Sequence, residues 1–231
     1  MSRIVLTDPH GCLKTLKALV AKLPPGIPLT FAGDLIDRAS DSRGVVDFVM
    51  NGGHDCIVGN HEVMMLDELS FGSDGKSYKT KSYVDGIWLK NGGDRCLDSY
   101  EVDGKMDIQT LKEHYDWIKS LPYYLEYPEL KDSNGQHLLV THSTAAHVWN
   151  KGTPKDSPEF KDYVTWERLY LPKKIDGIFN VYGHTPQVDK ALVRDYFACI
   201  DTGACYKRVH YGRLTALQFP EMTTYVQENI E

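Results

Sequence analysis

Apolar residues in the first sixty positions come in short bursts, and each burst ends on polar residues flanked by glycine or proline. Arg3 to Thr7 is a β-branched run that breaks at D-P-H-G. Leu29 to Ala32 breaks at G-D-L-I-D-R, and Cys56 to Val58 breaks at G-N-H-E. Short apolar runs bounded by turn signals predict buried strands. Between them the period changes. Leu13, Leu16, Leu19, Val20 and Leu23 recur at helical spacing, with Lys14, Lys17 and Lys22 elsewhere, predicting an amphipathic helix that P-P-G-I-P interrupts. Ser42 to Met50 predicts a second helix, closed by Asn51-Gly52-Gly53. Strand, helix, strand, helix, strand is the order of a layered α/β sheet.

The middle of the chain reads differently. Ser70 to Tyr83 is rich in Ser, Gly and Lys and predicts a long loop, a candidate mobile lid. W-L-K-N-G-G, Trp88 to Gly93, predicts a helix end with glycine stops. Ile108 to Leu121 predicts a helix halted by Pro122. Strands return at Leu138 to Thr141, Ile178 to Tyr182, Phe197 to Ile200 and Leu214 to Phe219. The charged, proline-punctuated segment Lys151 to Lys174 is expected to lie over the surface. The organisation expected is one domain over residues 1–231, with a helical and loop insertion at about 67–125 capping a sheet edge.

Composition narrows the function. The 231 residues are 42% hydrophobic and 25% charged, ordinary for a globular chain. A net charge of −6 argues against a broad nucleic-acid grip, which relies on Lys and Arg neutralising phosphates. It leaves room for a phosphate-bearing substrate held by a local cationic site. The cysteines Cys12, Cys56, Cys96, Cys199 and Cys205 show no C-x-x-C spacing and read as reduced, mostly buried thiols. No stretch approaches the roughly 20 apolar residues of a membrane span, so no membrane partner is expected and the expected location is cytoplasmic.

The polar residues at the strand ends carry the chemistry. In open α/β sheets ligands bind at the carboxyl ends of strands, and there the chain places Asp8 and His10, Asp34 and Asp37, Asn60 and His61, His142 and His184. Taken singly, D-P-H-G reads as an Asx-type turn and G-D-L-I-D-R as a helix N-cap. Taken together and in order, carboxylates plus imidazoles without thiolates suit a divalent metal such as Mn, Fe, Zn or Mg. Ligands from five strand ends exceed the needs of one ion. Two ions sharing a carboxylate would use them, and such pairs about 3.5–4 Å apart catalyse phosphoester hydrolysis. His54, His114, His137, His147 and His210 lack metal spacing and read as structural or solvated. Glu62 reads as a first-turn helix carboxylate, and Asp201 in I-D-T-G-A as a support residue beside a glycine turn.

D-P-H-G, G-D-L-I-D-R, G-N-H-E, T-H-S and G-H-T, with W-L-K-N-G-G, W-I-K-S-L-P, W-E-R-L and I-D-T-G-A, resemble the ordered signature of the calcineurin-like metallophosphoesterases. Within that superfamily the pattern is similar to bacterial and bacteriophage serine/threonine phosphoprotein phosphatases. The resemblance spans residues from about 3 to 205. It implies an α/β fold of two mixed sheets layered as a β-sandwich and flanked by helices, with a dimetal site at the strand ends. It implies two divalent ions, manganese first, with iron, zinc, nickel or magnesium as alternatives. Asp8 and His10 would bind the first ion, Asp34 would bridge, and Asn60, His142 and His184 would complete the second. His61 would be the general acid, oriented by Asp37, and Arg38 and Arg168 would grip the phosphate.

The activity implied is hydrolysis of phosphoserine and phosphothreonine in proteins or peptides, extending to phosphotyrosine, by direct attack of a metal-bridging hydroxide. Arginine suits this because its planar fork matches phosphate oxygens. A carboxylate at Asp37 is expected to raise the pKa of His61. Alternatives within the superfamily are a symmetrical dinucleoside polyphosphate hydrolase and a nucleotide or nucleic-acid phosphoesterase; outside catalysis, a metal-dependent phosphoprotein-binding protein. Two departures stand out. Ala39 replaces the usual glycine after Arg38, with backbone strain expected if φ is positive there. Ser143-Thr144 replace the small residues that usually follow the histidine, and are expected to crowd the pocket.

Overall fold

A computed structural model describes all residues from 1 to 231. Three parallel strands, β1 (Arg3–Leu6), β2 (Leu29–Phe31) and β3 (Asp55–Cys56), form one half of the first sheet. β13 (Arg213–Phe219) joins β1 antiparallel, and β14 (Thr223–Glu228) closes that edge. The second sheet has the order β11 (Leu192–Val193), β12 (Phe197–Cys199), β10 (Ile178–Tyr182), β9 (His137–Thr141) and β8 (Tyr124–Lys131). Its three central strands run parallel and its edges antiparallel.

The period of two along each strand explains why the sheets stack. In β1, Val5 joins the core between the sheets while Ile4 and Leu6 join the core beneath the helices. In β9, Leu138 and Val140 point between the sheets, and Leu139 joins the outer core. Alternating side chains that are apolar on both faces require cover on both. The first sheet is covered by α1 (Leu13–Val20), α2 (Ser42–Asn51) and α3 (Asn60–Glu68). The second is covered by α6 (Ala146–Lys151) and α7 (Pro158–Trp166). The result is a two-sheet sandwich with helices outside each sheet.

Several expectations change. Residues 69 to 80 form a hairpin, β4 (Leu69–Phe71) with β5 (Tyr78–Thr80), in place of a loop. Asp74-Gly75 is a hairpin turn signal, and Gly75 takes the positive φ it permits. The glycine stop after Trp88 is present, but the helix that it ends is a single 3₁₀ turn, Leu89–Asn91. Gly92, left-handed at φ 105°, turns a short 3₁₀ segment into α4 (Gly93–Asp98). A small hairpin, β6 (Glu101–Val102) with β7 (Lys105–Met106), leads to α5 (Ile108–Ser120), which packs on α2 and α3. The segment 151–174 is only partly superficial, since Phe160 and Val164 of α7 are fully buried. β8 and β14 went unread because both are edge strands. Pro128 interrupts one at a register shift, and the other is largely exposed. All five cysteines are free and four are buried. No helix is long and apolar enough to cross a membrane.

Candidate active site

The strand ends of both sheets meet at one edge of the sandwich, and the motif loops leave them in an unusual backbone conformation. Ten non-glycine residues have positive φ, and six of them are Asp8, His10, Asp34, Asp37, Arg38 and His184. Such strain persists only where the surroundings over-determine it, and it concentrates at functional sites. Glycine provides the room. A Cβ on Gly59 would strike the Asp34 carboxylate, and one on Gly183 would strike that of Asp8. Ala39 is not among the positive-φ residues, so the expected strain there is absent.

Asp34 is central. Its Oδ2 lies 3.4 Å from His10 Nε2 and its Oδ1 lies 3.4 Å from His142 Nε2. The tautomers follow from the far side of each ring. His10 Nδ1 donates to the Ile36 carbonyl at 2.8 Å, and His142 Nδ1 donates to the Ala32 carbonyl at 2.8 Å. Each neutral imidazole therefore turns a bare Nε2 lone pair toward a carboxylate oxygen. Asn60 Oδ1 also faces His142 Nε2, at 3.0 Å, when oriented this way. His184 Nε2 donates to the Trp166 carbonyl at 3.2 Å, which leaves Nδ1 as its free donor atom. Lone pairs converging in a buried site repel one another unless a proton or a cation lies between them. The donors fall into two groups that share Asp34: His10, Asp34 and His61, and Asp34, His142 and His184.

The charges agree with this arrangement. Burial lifts the Asp8 carboxyl to about 6 and Asp34 well above the ordinary carboxylate range, with nearby carboxylates adding to both. Burial pulls His10 down strongly and His184 to about 2, so both imidazoles stay unprotonated and free to donate. Asp8 joins neither donor group. Its carboxylate accepts the His184 main-chain N–H at 3.1 Å. Asp201 is buried beside it, raised by burial and by the charge of Asp8, and accepts the Gly203 N–H at 2.8 Å.

His61 is the second residue of α3, directly after Asn60. Its Nδ1 donates to Asp37 Oδ2 at 2.6 Å, and its Nε2 accepts from Arg38 Nη2 at 2.9 Å. Burial, His10 and Arg38 together lower the His61 pKa, so the upward shift expected from Asp37 is outweighed. Arg38 is further tied to the Tyr206 hydroxyl at 2.9 Å. Arg168 lies exposed on the rim, close enough to lower the His184 pKa, and its side chain has no hydrogen-bond partner. Ser143 and Thr144 do not crowd the centre. The Ser143 hydroxyl donates to the Tyr163 carbonyl at 2.8 Å and Thr144 accepts from Ala146 N–H, so both anchor α6 and α7.

Sequence reasoning undervalued two residues. Glu62 is fully buried and accepts four main-chain N–H groups, from Asp34, Leu35 and Ile36 of one motif loop and Gly59 of the next. It stitches G-D-L-I-D-R to G-N-H-E. Trp88, also fully buried, donates its indole N–H to both oxygens of Asp37, at 3.0 and 3.1 Å. Its own backbone N–H and that of Ile87 are held by the Glu68 carboxylate. The W-L-K-N-G-G stretch was legible as a motif, but its tertiary partner was not.

Comparison with known proteins agrees with this geometry. The family model of the calcineurin-like phosphoesterases matches residues 1–188. The asymmetrical bis(5'-nucleosyl)-tetraphosphatase PrpE of Bacillus anthracis is 24% identical, over 95% of this chain and 91% of the relative. Serine/threonine-protein phosphatase 1 of Salmonella typhimurium is 28% identical, over 87% and 86% respectively. In fold, a protein serine/threonine phosphatase from Saccharomyces cerevisiae superposes with a TM-score of 0.61 at 14% identity, covering 100% of this chain and 81% of that one. With two donor groups hinged on one carboxylate and a family match over most of its length, the chain belongs to the calcineurin-like phosphoesterases, metal-dependent hydrolases with a dinuclear site.

Proposed function

We propose that this protein hydrolyses phosphomonoesters, with phosphoserine and phosphothreonine in proteins or peptides as the substrate class. The observation that carries the reading is the position of Arg38. Its guanidinium donates to His61 Nε2 with one arm and to the Tyr206 hydroxyl with the other. A monoester dianion needs charge on its non-bridging oxygens, and a planar fork supplies two aligned donors.

The residues present fit two divalent ions. Asp34 would serve both, His10 with Asp8 one, and Asn60, His142 and His184 the other. When bound, such ions supply Lewis-acid charge and activate water near neutral pH. The protein's own groups do the rest. Arg38 leaves His61 Nε2 for the phosphate oxygens, and Arg168 closes on them from the rim. With Arg38 withdrawn, Nε2 is free to take a proton from solvent and pass it to the departing serine or threonine oxygen, while Asp37 fixes the ring through Nδ1. Positioned proton transfer of this kind contributes about 10²–10⁴-fold.

A second reading is hydrolysis of a dinucleoside polyphosphate, favoured by the similarity to the tetraphosphatase of Bacillus anthracis over 95% of this chain. Turnover of a phosphothreonine peptide, diadenosine tetraphosphate and a bis-aryl phosphate with added manganese separates the readings. The peptide is expected to show the highest kcat/KM. A dinucleotide advantage of orders of magnitude would overturn the first reading, and no metal-dependent turnover at all would favour a phosphoprotein-binding role.

A further inference from the structure

Next to Arg38 the surface opens into a groove of about 360 Å³ lined by Arg38, Arg95, Tyr206 and Lys207, among others. A second groove, bounded by Tyr206, Lys207 and Arg208, continues it. Two guanidiniums lie near the Tyr206 ring, Arg38 at 5.5 Å and Arg208 at 5.9 Å from its centroid. This clustering is unexpected in a chain of net charge −6. Elsewhere Arg3, Arg43 and Arg213 are matched to carboxylates, and Arg194 donates to the Val193 carbonyl. Around Tyr206, no carboxylate side chain lies within 4.0 Å of Arg38, Arg95, Arg168 or Arg208. Lys207 donates to the main-chain oxygen of Glu231. The acid that does line the groove, Glu231, turns its carboxylate to the Thr15 N–H at 2.9 Å.

Unpaired guanidiniums held near one another repel, and a fold gains nothing by gathering them unless an anion visits. Only Arg38 also reaches His61. Arg95 enters from α4, whose preceding Gly92 packs its backbone against that of Arg38, which brings the base of α4 next to the Arg38 loop. We propose that Arg95, in the same groove as Arg38, and Arg208, over the Tyr206 ring, form an accessory subsite for a second anionic group carried by the same substrate. The chemistry is a phosphate or carboxylate a few bonds from the scissile phosphate, as in a phosphopeptide with acidic flanks or a polyphosphate chain. The inference rests on the proposed phosphoesterase reading and specifies which phosphoesters the site prefers.

The test uses the double variant Arg95→Ala/Arg208→Ala, both residues being exposed and outside the catalytic group. With saturating manganese, kcat/KM is measured for 4-nitrophenyl phosphate, a phosphothreonine peptide flanked by glutamates, the same peptide flanked by alanines, and diadenosine tetraphosphate. Aryl phosphate turnover is expected to stay within about twofold of wild type. Turnover of the anion-rich substrates is expected to fall roughly fivefold through KM, with an effect that shrinks as salt screens it. Loss on the glutamate peptide alone assigns a carboxylate subsite, and loss on the dinucleotide alone a phosphate subsite. Equal effects on all four substrates, or none, would overturn the proposal. Fluorescence anisotropy of the glutamate-flanked phosphopeptide, with and without manganese, reads the subsite apart from catalysis. An enzyme without aryl phosphatase activity would sink the phosphoesterase reading. The subsite would survive only if wild type still bound that peptide more tightly than the variant.

Discussion

The indole N–H of Trp88 lies 3.0 and 3.1 Å from the two carboxylate oxygens of Asp37, inside a fully buried site. Asp37 Oδ2 in turn receives the proton of His61 Nδ1 at 2.6 Å. A residue some fifty positions along the chain thus fixes the carboxylate that fixes the imidazole. Burial and the Glu62 charge push the Asp37 carboxyl up, and the Trp88 donor opposes them. Trp88→Phe keeps most of the packing and removes the donor. A buried hydrogen bond to a charged group is worth about 1.5–3 kcal/mol, so kcat should fall roughly tenfold or more with metal content unchanged. Wild-type kcat in this variant would show that the indole serves packing alone.

His61 is placed ambiguously enough to make its replacement informative. Its Nε2 lies 4.0 Å from Asp34 Oδ2, and the side chain belongs geometrically to a potential metal group with His10. As a proton donor it is dispensable for metal. His61→Asn should therefore lower kcat by about 10²–10⁴-fold while elemental analysis finds near wild-type metal. Loss of metal along with activity would make it a ligand instead.

Glu62→Gln tests the stitch between motif loops. The carboxylate accepts four N–H groups, and an amide nitrogen in place of one oxygen would face donors with a donor. Leaving buried N–H groups unpaired costs about 1–3 kcal/mol each. A loss of about 3 kcal/mol corresponds to roughly 10 °C in Tm for a chain of this size. Calorimetry showing an unchanged Tm would refute the role.

The first three strands, the helices α1, α2 and α5, and the polar side chains that gather around Asp34 were legible because local pattern determines them. Period marks the elements, and polar residues after an apolar run mark the ligand edge. Glu62, Trp88 and the Tyr206 groove were not, because their roles come from residues tens of positions away. Glu62 carries the ordinary signature of a first-turn acid, and only the approach of the 34–36 loop gives it four partners. The β4–β5 hairpin was missed for a nearer reason: its strands are three residues each, too short for alternation to show.

His114 is buried between Tyr100 and Asp47, accepting at Nδ1 and donating at Nε2, and burial lowers its pKa below 6.5. The unfolded chain takes up this proton first as pH falls, so the stability is full above about 6.5 and declines below it. In metal-loaded protein, Tm should drop less between pH 7.5 and 5.5 in His114→Asn than in wild type. An identical pH slope would show that His114 titrates alike in both states.

Asp34 offers one oxygen to His10 and the other to His142, each at 3.4 Å. Anomalous diffraction from crystals grown with manganese tests that relationship most directly. Two peaks, one on each side of this carboxylate, are the predicted result. A single peak, or manganese bound anywhere else, would contradict it.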